Sequence, residues 1–169
     1  LKSAIRCDDP VVFVESKLLY STRDEVPEGD YTTPIGEAAI RREGSDLTIV
    51  TYSRMVPEAL KAAEVLGDRG VEAEVVDLRT LAPLDMRTIT ESVGNTGRAL
   101  IVEEGWLTGG VGAEIAAGIA EQCFDYLEAP PRRVAAADAP VPASRVLEDA
   151  ATPDYADIAR AAAALVADY

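Results

Sequence analysis

The chain alternates short apolar segments rich in β-branched residues with segments whose apolar residues recur at helical spacing. Strands are predicted at 38–42, 47–52, 73–78, 99–102 and 133–136, and helices at 56–66, 86–93, 111–122 and 152–165. Strands that alternate with helices build a mainly parallel sheet with helices on both faces. The sequence therefore predicts a three-layer α/β/α fold with a mostly parallel, five-stranded sheet and one antiparallel edge strand.

The residues before position 37 differ from the rest. Residues 1–6 are typical of the end of a helix, and the apolar run 11–14 is typical of a strand buried on both faces. From 16 to 36 no periodicity holds, and proline, glycine and charged residues dominate. We expect 1–15 to be the end of a preceding domain, 16–36 an extended linker and 37–169 the α/β domain of a longer protein.

Charge and composition exclude several classes of function. The chain has 30 acidic and 16 basic residues, a net charge of −14, which is unsuited to nucleic acid and to anionic membranes. Histidine is absent, which excludes histidine-based catalysis and histidine metal sites from this chain. With two distant cysteines, no membrane-length apolar run and no signal peptide, the sequence predicts a cytoplasmic protein.

The stretch 99–113 is the most informative for function. Two acidic residues, Glu103 and Glu104, stand where the predicted strand ends, and the single tryptophan, Trp106, follows. Adjacent strand residues point to opposite faces, so the two carboxyl groups cannot share one substrate and are expected to cap a helix or to contact a partner. Trp106 is expected to be an interface anchor or a half-buried lid over the core.

Three glycines follow the tryptophan and open the next helix. Gly109, Gly110 and Gly112 have two readings: a cradle for a phosphate at the helix start, or a surface for close packing, including packing with a partner subunit. The neighbouring carboxylates would repel a phosphate, and the spacing differs from the dinucleotide fingerprint. Close packing is therefore the interpretation we adopt.

Several segments resemble one enzyme family in order and spacing. They are DLTIVTYSR at 46–54, VVDLRTLAPLD at 75–85 and VEEGWLTGGVGAE at 102–114, with 4–15, 34–36 and 133–149 extending the match. Together they resemble the C-terminal, transketolase-type domain of 2-oxo acid dehydrogenase β subunits, of the pyruvate, acetoin and branched-chain types. The resemblance covers nearly the whole chain.

The resemblance implies oxidative decarboxylation of a 2-oxo acid on thiamine diphosphate and magnesium, with acyl transfer to a lipoyl arm. In the family the enzyme is an α2β2 assembly, and the cofactor lies between the α subunit and the amino-terminal domain of β. We therefore expect no catalytic or cofactor-binding residue in this chain, which alone should be inactive. The implied partners are the α subunit, a second β subunit and the dihydrolipoyl acyltransferase, in the cytoplasm or, in a eukaryote, the mitochondrial matrix.

The resemblance also assigns residues. Relatives bind a structural potassium ion at the positions of Ala4, Ile5, Cys7 and Asp9, largely through main-chain carbonyls. Because further ligands come from a segment that precedes these residues in the family, we expect this potassium site to be empty here. In the family the loop containing Glu104 and Trp106 approaches the subunit interface. The β-subunit tail, here Asp168 and Tyr169, contacts the acyltransferase.

Two other interpretations stay open at this point. A stand-alone, flavodoxin-like module could bind a small anion with the loops 52–54 and 104–112, because Arg54 lies beside a helix start. Alternatively, the chain could be a C-terminal fragment of transketolase or of deoxyxylulose phosphate synthase.

Overall fold

A computed structural model describes residues 1–168, and over this range the chain forms a five-stranded sheet. The strands are β1 (Ala39–Arg42), β2 (Leu47–Thr51), β3 (Ala73–Asp77), β4 (Ala99–Trp106) and β5 (Arg132–Ala136). Their order is β1-β3-β2-β4-β5; β1 is antiparallel to β3 and the remaining pairs are parallel. The predicted fold class, with its antiparallel edge strand, is confirmed.

Helices connect the strands and follow the last one. They are α1 (Lys2–Arg6), α2 (Met55–Gly67), α3 (Met86–Thr96), α4 (Val111–Gln122), α5 (Arg145–Ala151) and α6 (Tyr155–Ala167), with short 3-10 helices at Lys17–Ser21 and Phe124–Tyr126. The helix α5 was not predicted from the sequence. None of the helices described in residues 1–168 is long and apolar enough to cross a membrane.

The core consists of two apolar layers, one on each face of the sheet. Helices α2 and α6 cover the face formed by Leu47, Ile49 and Val75, while α3 and α4 cover the face formed by Val50 and Ile101. Successive strand residues point to opposite faces, so a strand covered on both sides is continuously apolar. Each fully buried leucine or isoleucine contributes roughly 1.5–3 kcal/mol, and this double layer holds the strand ends in fixed positions.

Acidic caps begin two of the helices. Asp85 accepts a hydrogen bond from the Thr88 N–H at 3.1 Å and begins α3, as predicted. Burial acts to raise the pKa of Asp85, but hydrogen bonds from Thr88 and from the Ala38 N–H outweigh it and lower the pKa below its ordinary value. Helix α6 begins after a capping box at Asp154, two residues later than the expected cap at Thr152.

The apolar run 11–14 is not a strand, and this prediction was wrong. Val12 is 90% exposed and Val14 is 85% exposed. A buried parallel strand needs neighbours on both edges and helices on both faces. Within the described residues, the run 11–14 has no neighbouring strand and no covering helices, because the sheet consists only of β1 to β5. The chain first contacts the α/β domain by a hydrogen bond at position 36, where the Gly36 N–H donates to Thr80 Oγ1 at 3.1 Å.

Candidate interface at the carboxyl edge of the sheet

The parallel strands β2 to β5 end at one edge of the sheet, called here the carboxyl edge. In parallel sheets this edge is where ligands and partners bind. Two residues that follow neighbouring strands, Ser53 and Arg79, have positive φ angles of 55° and 56°. Non-glycine residues in this region are strained and concentrate at functional sites.

A buried carboxylate lies at the centre of this edge. Glu103 is 1% exposed, and both of its carboxylate oxygens lie 3.1 Å from the N–H of Gly112 in the first turn of α4. The first N–H groups of a helix have no partner within the helix and carry a partial positive charge, so a carboxylate there is stabilised. The helix-capping role considered for Glu103 is therefore confirmed.

The buried carboxylate explains two of the glycines. A Cβ at Gly112 would lie 2.5 Å from Glu103 Oε1, and a Cβ at Gly110 would lie 2.6 Å from the same oxygen. A Cβ at Gly109 would meet nothing within 4 Å, but the φ of this residue is 71°, a backbone conformation that favours glycine. Gly110 and Gly112 are thus close-packed within the chain, while the contact of these glycines with a partner subunit stays a prediction.

Tyr52 is the second polar neighbour of the buried carboxylate. Its hydroxyl donates to Glu103 Oε2 at 3.3 Å. Burial, followed by the negative charge of Glu103, raises the pKa of Tyr52 from 10.0 to about 12. The tyrosine therefore remains a neutral hydrogen-bond donor over the whole physiological range.

Arg54 and three carboxylates form a second cluster at the same edge. The guanidinium lies 3.3 Å from Glu104 and about 4 Å from Glu148 and Asp149 of α5. Sequence analysis missed Glu148 and Asp149 because it did not predict α5. The available signal was the i, i+4 pair Arg145–Asp149, which is typical of a helix.

The last residue of β4 and the loop after it present apolar side chains to solvent. Trp106 and Leu107 are 48% and 43% exposed. Strand β4 continues to Trp106 rather than ending at Val102, and it contains a bulge in which three residues, 103–105, stand opposite Ala135 of β5. Arg133 donates to the Leu107 carbonyl at 2.7 Å, so the loop is fastened to β5.

The predicted tail contact lies at the opposite edge of the sheet, where the strands begin. Asp168 follows α6 and pairs with Arg132, the first residue of β5, at 2.9 Å. Tyr169 lies outside the described residues. The sequence-predicted interface residues that lie within 1–168 therefore fall into two groups, one at each edge.

The potassium positions Ala4, Ile5, Cys7 and Asp9 lie in α1 and the turn after it. Ile5 is 74% exposed and Asp9 is also exposed. Among residues 1–168, no group of three or more His, Cys, Asp or Glu residues could hold a metal ion. That finding concerns side chains alone, so the expectation that the main-chain potassium site is empty stays a prediction.

The side chains at the carboxyl edge do not fit a diphosphate. A phosphate at the start of α4 would have to displace the Glu103 carboxylate, and Arg54 is already surrounded by Glu104 and two acids of α5. A cleft of about 340 Å³ between α3 and the end of α4 contains Glu91 and Cys123 but no basic side chain. The geometry therefore also disfavours the small-anion module.

Comparison with known proteins identifies the family. The model of "Transketolase, C-terminal domain" matches residues 36–158. The chain belongs to the transketolase C-terminal domain family. It is 47% identical over 166 residues to the mitochondrial pyruvate dehydrogenase E1 component subunit beta of Dictyostelium discoideum, covering 96% of this chain and 47% of that protein.

Two further relatives support this family assignment. The chain is 51% identical over 162 residues to the acetoin:2,6-dichlorophenolindophenol oxidoreductase subunit beta of Cupriavidus necator, covering 96% of this chain and 48% of that protein. The solved structure of a split-gene transketolase, described as an inactive β4 tetramer, matches with a TM-score of 0.73 and 28% identity, covering 85% of this chain and 46% of that one.

These findings confirm the resemblance read from the sequence. The homologues of this chain are β subunits of pyruvate dehydrogenase E1 and of related oxidoreductases. The identities to these subunits are 47–51%, and the identity to the transketolase structure is 28%. The chain spans about half the length of the curated relatives it matches.

Proposed function

We propose that this chain is the non-catalytic C-terminal domain of the β subunit of a 2-oxo acid dehydrogenase, and that it serves subunit assembly and docking to the acyltransferase core. The complete enzyme decarboxylates a 2-oxo acid and transfers the acyl group to lipoyl. Its thiamine diphosphate and magnesium are bound outside this chain, which is inactive alone. The compartment follows the source, the cytoplasm of a bacterium or the mitochondrial matrix of a eukaryote.

One observation carries the proposal: the carboxyl edge is closed to small anionic ligands and yet presents a large aromatic side chain. Glu103 occupies the start of α4, and three carboxylates surround Arg54. Trp106 is 48% exposed beside them. An exposed tryptophan next to satisfied polar groups suits a protein partner better than a small molecule.

The two groups of interface residues are assigned to different partners. We assign Trp106 and its glycine-rich loop at the carboxyl edge to the α subunit and the second β subunit of an α2β2 assembly. We assign Asp168, at the opposite edge, and Tyr169, which follows it in the sequence, to the dihydrolipoyl acyltransferase. The net charge of −14 favours a basic docking partner. Because the two edges lie at opposite ends of the parallel strands, a partner bound at one edge does not block the other edge.

The assembly role is tested by Trp106→Ala in the full-length β subunit mixed with the α subunit. Truncating an interface anchor costs about 2 kcal/mol or more of binding free energy. We therefore expect the dissociation constant of the assembly to rise at least roughly thirtyfold. The matched control is Tyr126→Ala, which removes another exposed aromatic ring, at the opposite edge. Equal assembly of Trp106→Ala and the parent, measured by analytical ultracentrifugation, would contradict the proposal.

A further inference from the structure

The start of α4 has an unusual occupant, a glutamate from the strand that precedes the helix. In many α/β proteins a bound phosphate or carboxylate ligand takes this position because the N–H groups there have no partner. Here Glu103, 1% exposed, places both oxygens 3.1 Å from the Gly112 N–H. The Tyr52 hydroxyl at 3.3 Å gives the same carboxylate a second donor.

The same residue lies within the β4 bulge. Residues 103–105 have one counterpart on β5, so the ladder between Val102 and Trp106 is interrupted at this point. A bulge re-aims the side chains that follow it and needs support from its surroundings. The Trp106 carbonyl lies against Gly110, so the end of the bulge and the start of α4 are packed together around the carboxylate.

We infer that Glu103 is a positioning residue: its carboxylate is a built-in anionic ligand of α4 that fixes the loop 105–110 and aims Trp106 outward. The part of this inference that concerns partner binding rests on the proposed function. The part that concerns the loop does not, because it depends only on contacts within the chain. Removing the carboxylate should leave a cavity with unpaired donors that a small carboxylate such as formate can fill.

The test is hydrogen exchange, followed by mass spectrometry, of the full-length protein and three variants. In Glu103→Ala we expect exchange of the amides in 105–113 to be roughly fivefold faster or more, as for the loss of one helix cap, while peptides from β2 and β3 keep their protection. Sodium formate should restore the protection, and sodium chloride at equal ionic strength should not.

The matched control is Glu104→Ala. It removes the adjacent carboxylate, which points to the opposite face and pairs with Arg54. We expect it to leave exchange in the first turn of α4 unchanged and insensitive to formate. The third variant, Glu103→Gln, keeps the volume but not the charge; it should exchange faster in 105–113 and not respond to formate, because the amide fills the cavity.

The inference is overturned by any of three results. These are unchanged exchange in Glu103→Ala, a loss of protection that spreads over the sheet and does not respond to formate, or parental exchange in Glu103→Gln. A failure of the proposed function looks different. In that case formate restores the loop in Glu103→Ala, but neither this variant nor Trp106→Ala alters assembly with the α subunit.

Discussion

At the scale of single residues, the chain buries two acidic side chains in different ways. Glu103 is held by the donors at the start of α4, whereas Glu74 on β3, 5% exposed, accepts a hydrogen bond from Thr48 at a long distance of 3.5 Å. Burial, partly offset by a hydrogen bond from Ser92, raises the pKa of Glu74. The raised pKa means that the charged form of Glu74 is disfavoured in the folded state.

We therefore expect Glu74→Gln to stabilise the protein at neutral pH, by about 1 kcal/mol. The sign follows from linkage: a carboxyl whose pKa is raised by folding stabilises the fold below its unfolded pKa and loses that contribution as pH rises through the folded value. The gain in the free energy of unfolding should be smaller when urea unfolding is measured at or below pH 4.5, the ordinary pKa of the carboxyl group. Glu64→Gln, at an exposed site on α2, is the control and should change little.

Tyr52 gives a prediction at the other end of the pH scale. Its pKa is 10.0 when unperturbed and about 12 in the fold, so its contribution to stability is complete below pH 10 and is lost as pH rises toward 12. Tyr52→Phe lacks this titration and should cost about 1 kcal/mol at neutral pH for the lost hydrogen bond. Urea unfolding should show the difference between parent and variant narrowing above pH 10; a constant difference would contradict this assignment.

At the scale of elements, α4 and α3 each contain a glycine, and the two differ in the space that is available for a side chain. A Cβ at Gly112 would meet Glu103 and, at 3.1 Å, Ile101 Cγ2, whereas a Cβ at Gly94 in α3 meets nothing within 4 Å. Gly112→Ala should therefore destabilise the protein by about 1–3 kcal/mol through overpacking. Gly94→Ala should stabilise it by about 0.5–1 kcal/mol through helix propensity. Thermal unfolding of both variants checks the pair, and equal shifts of the same sign would be inconsistent with the packing described.

Sequence reasoning succeeded for elements with a strong local signal. The β-branched run 47–52 and the cap Asp85 predicted β2 and the start of α3, and both predictions are confirmed. It failed for 11–14, since hydrophobicity does not show whether a strand has neighbours. It also placed the end of β4 four residues early, because two consecutive glutamates look like a strand terminus, although Glu103 is buried against the start of α4 and Glu104 pairs with Arg54.

The candidate site was only partly predictable for a related reason. The residue types at 103–112 indicated a cap or an interface, but the contact between Glu103 and Gly112 depends on the bulge in β4. The cluster around Arg54 depends on α5, which is far from Arg54 in the sequence and has no buried residue. Contacts of this kind arise from the tertiary fold and have no local pattern in the sequence.

At the scale of the whole molecule, the sheet separates two surfaces. The loop after β2 places Arg54 at the carboxyl edge, and the end of β4 places Trp106 there. Helix α6 returns the chain to the opposite edge, where Asp168 pairs with Arg132. We assign subunit assembly to the first surface and acyltransferase docking to the second. The two functions are then carried by physically separate parts of the domain.

The most direct test crosses two variants with two binding assays. Trp106→Ala and the deletion of 168–169 are each introduced into the full-length β subunit, and the affinities for the α subunit and for the acyltransferase are measured by titration calorimetry. We expect Trp106→Ala to weaken only the binding of the α subunit, and the deletion to weaken only the binding of the acyltransferase. If either variant weakens both interactions equally, or if neither changes any affinity, the assignment of the two edges is contradicted.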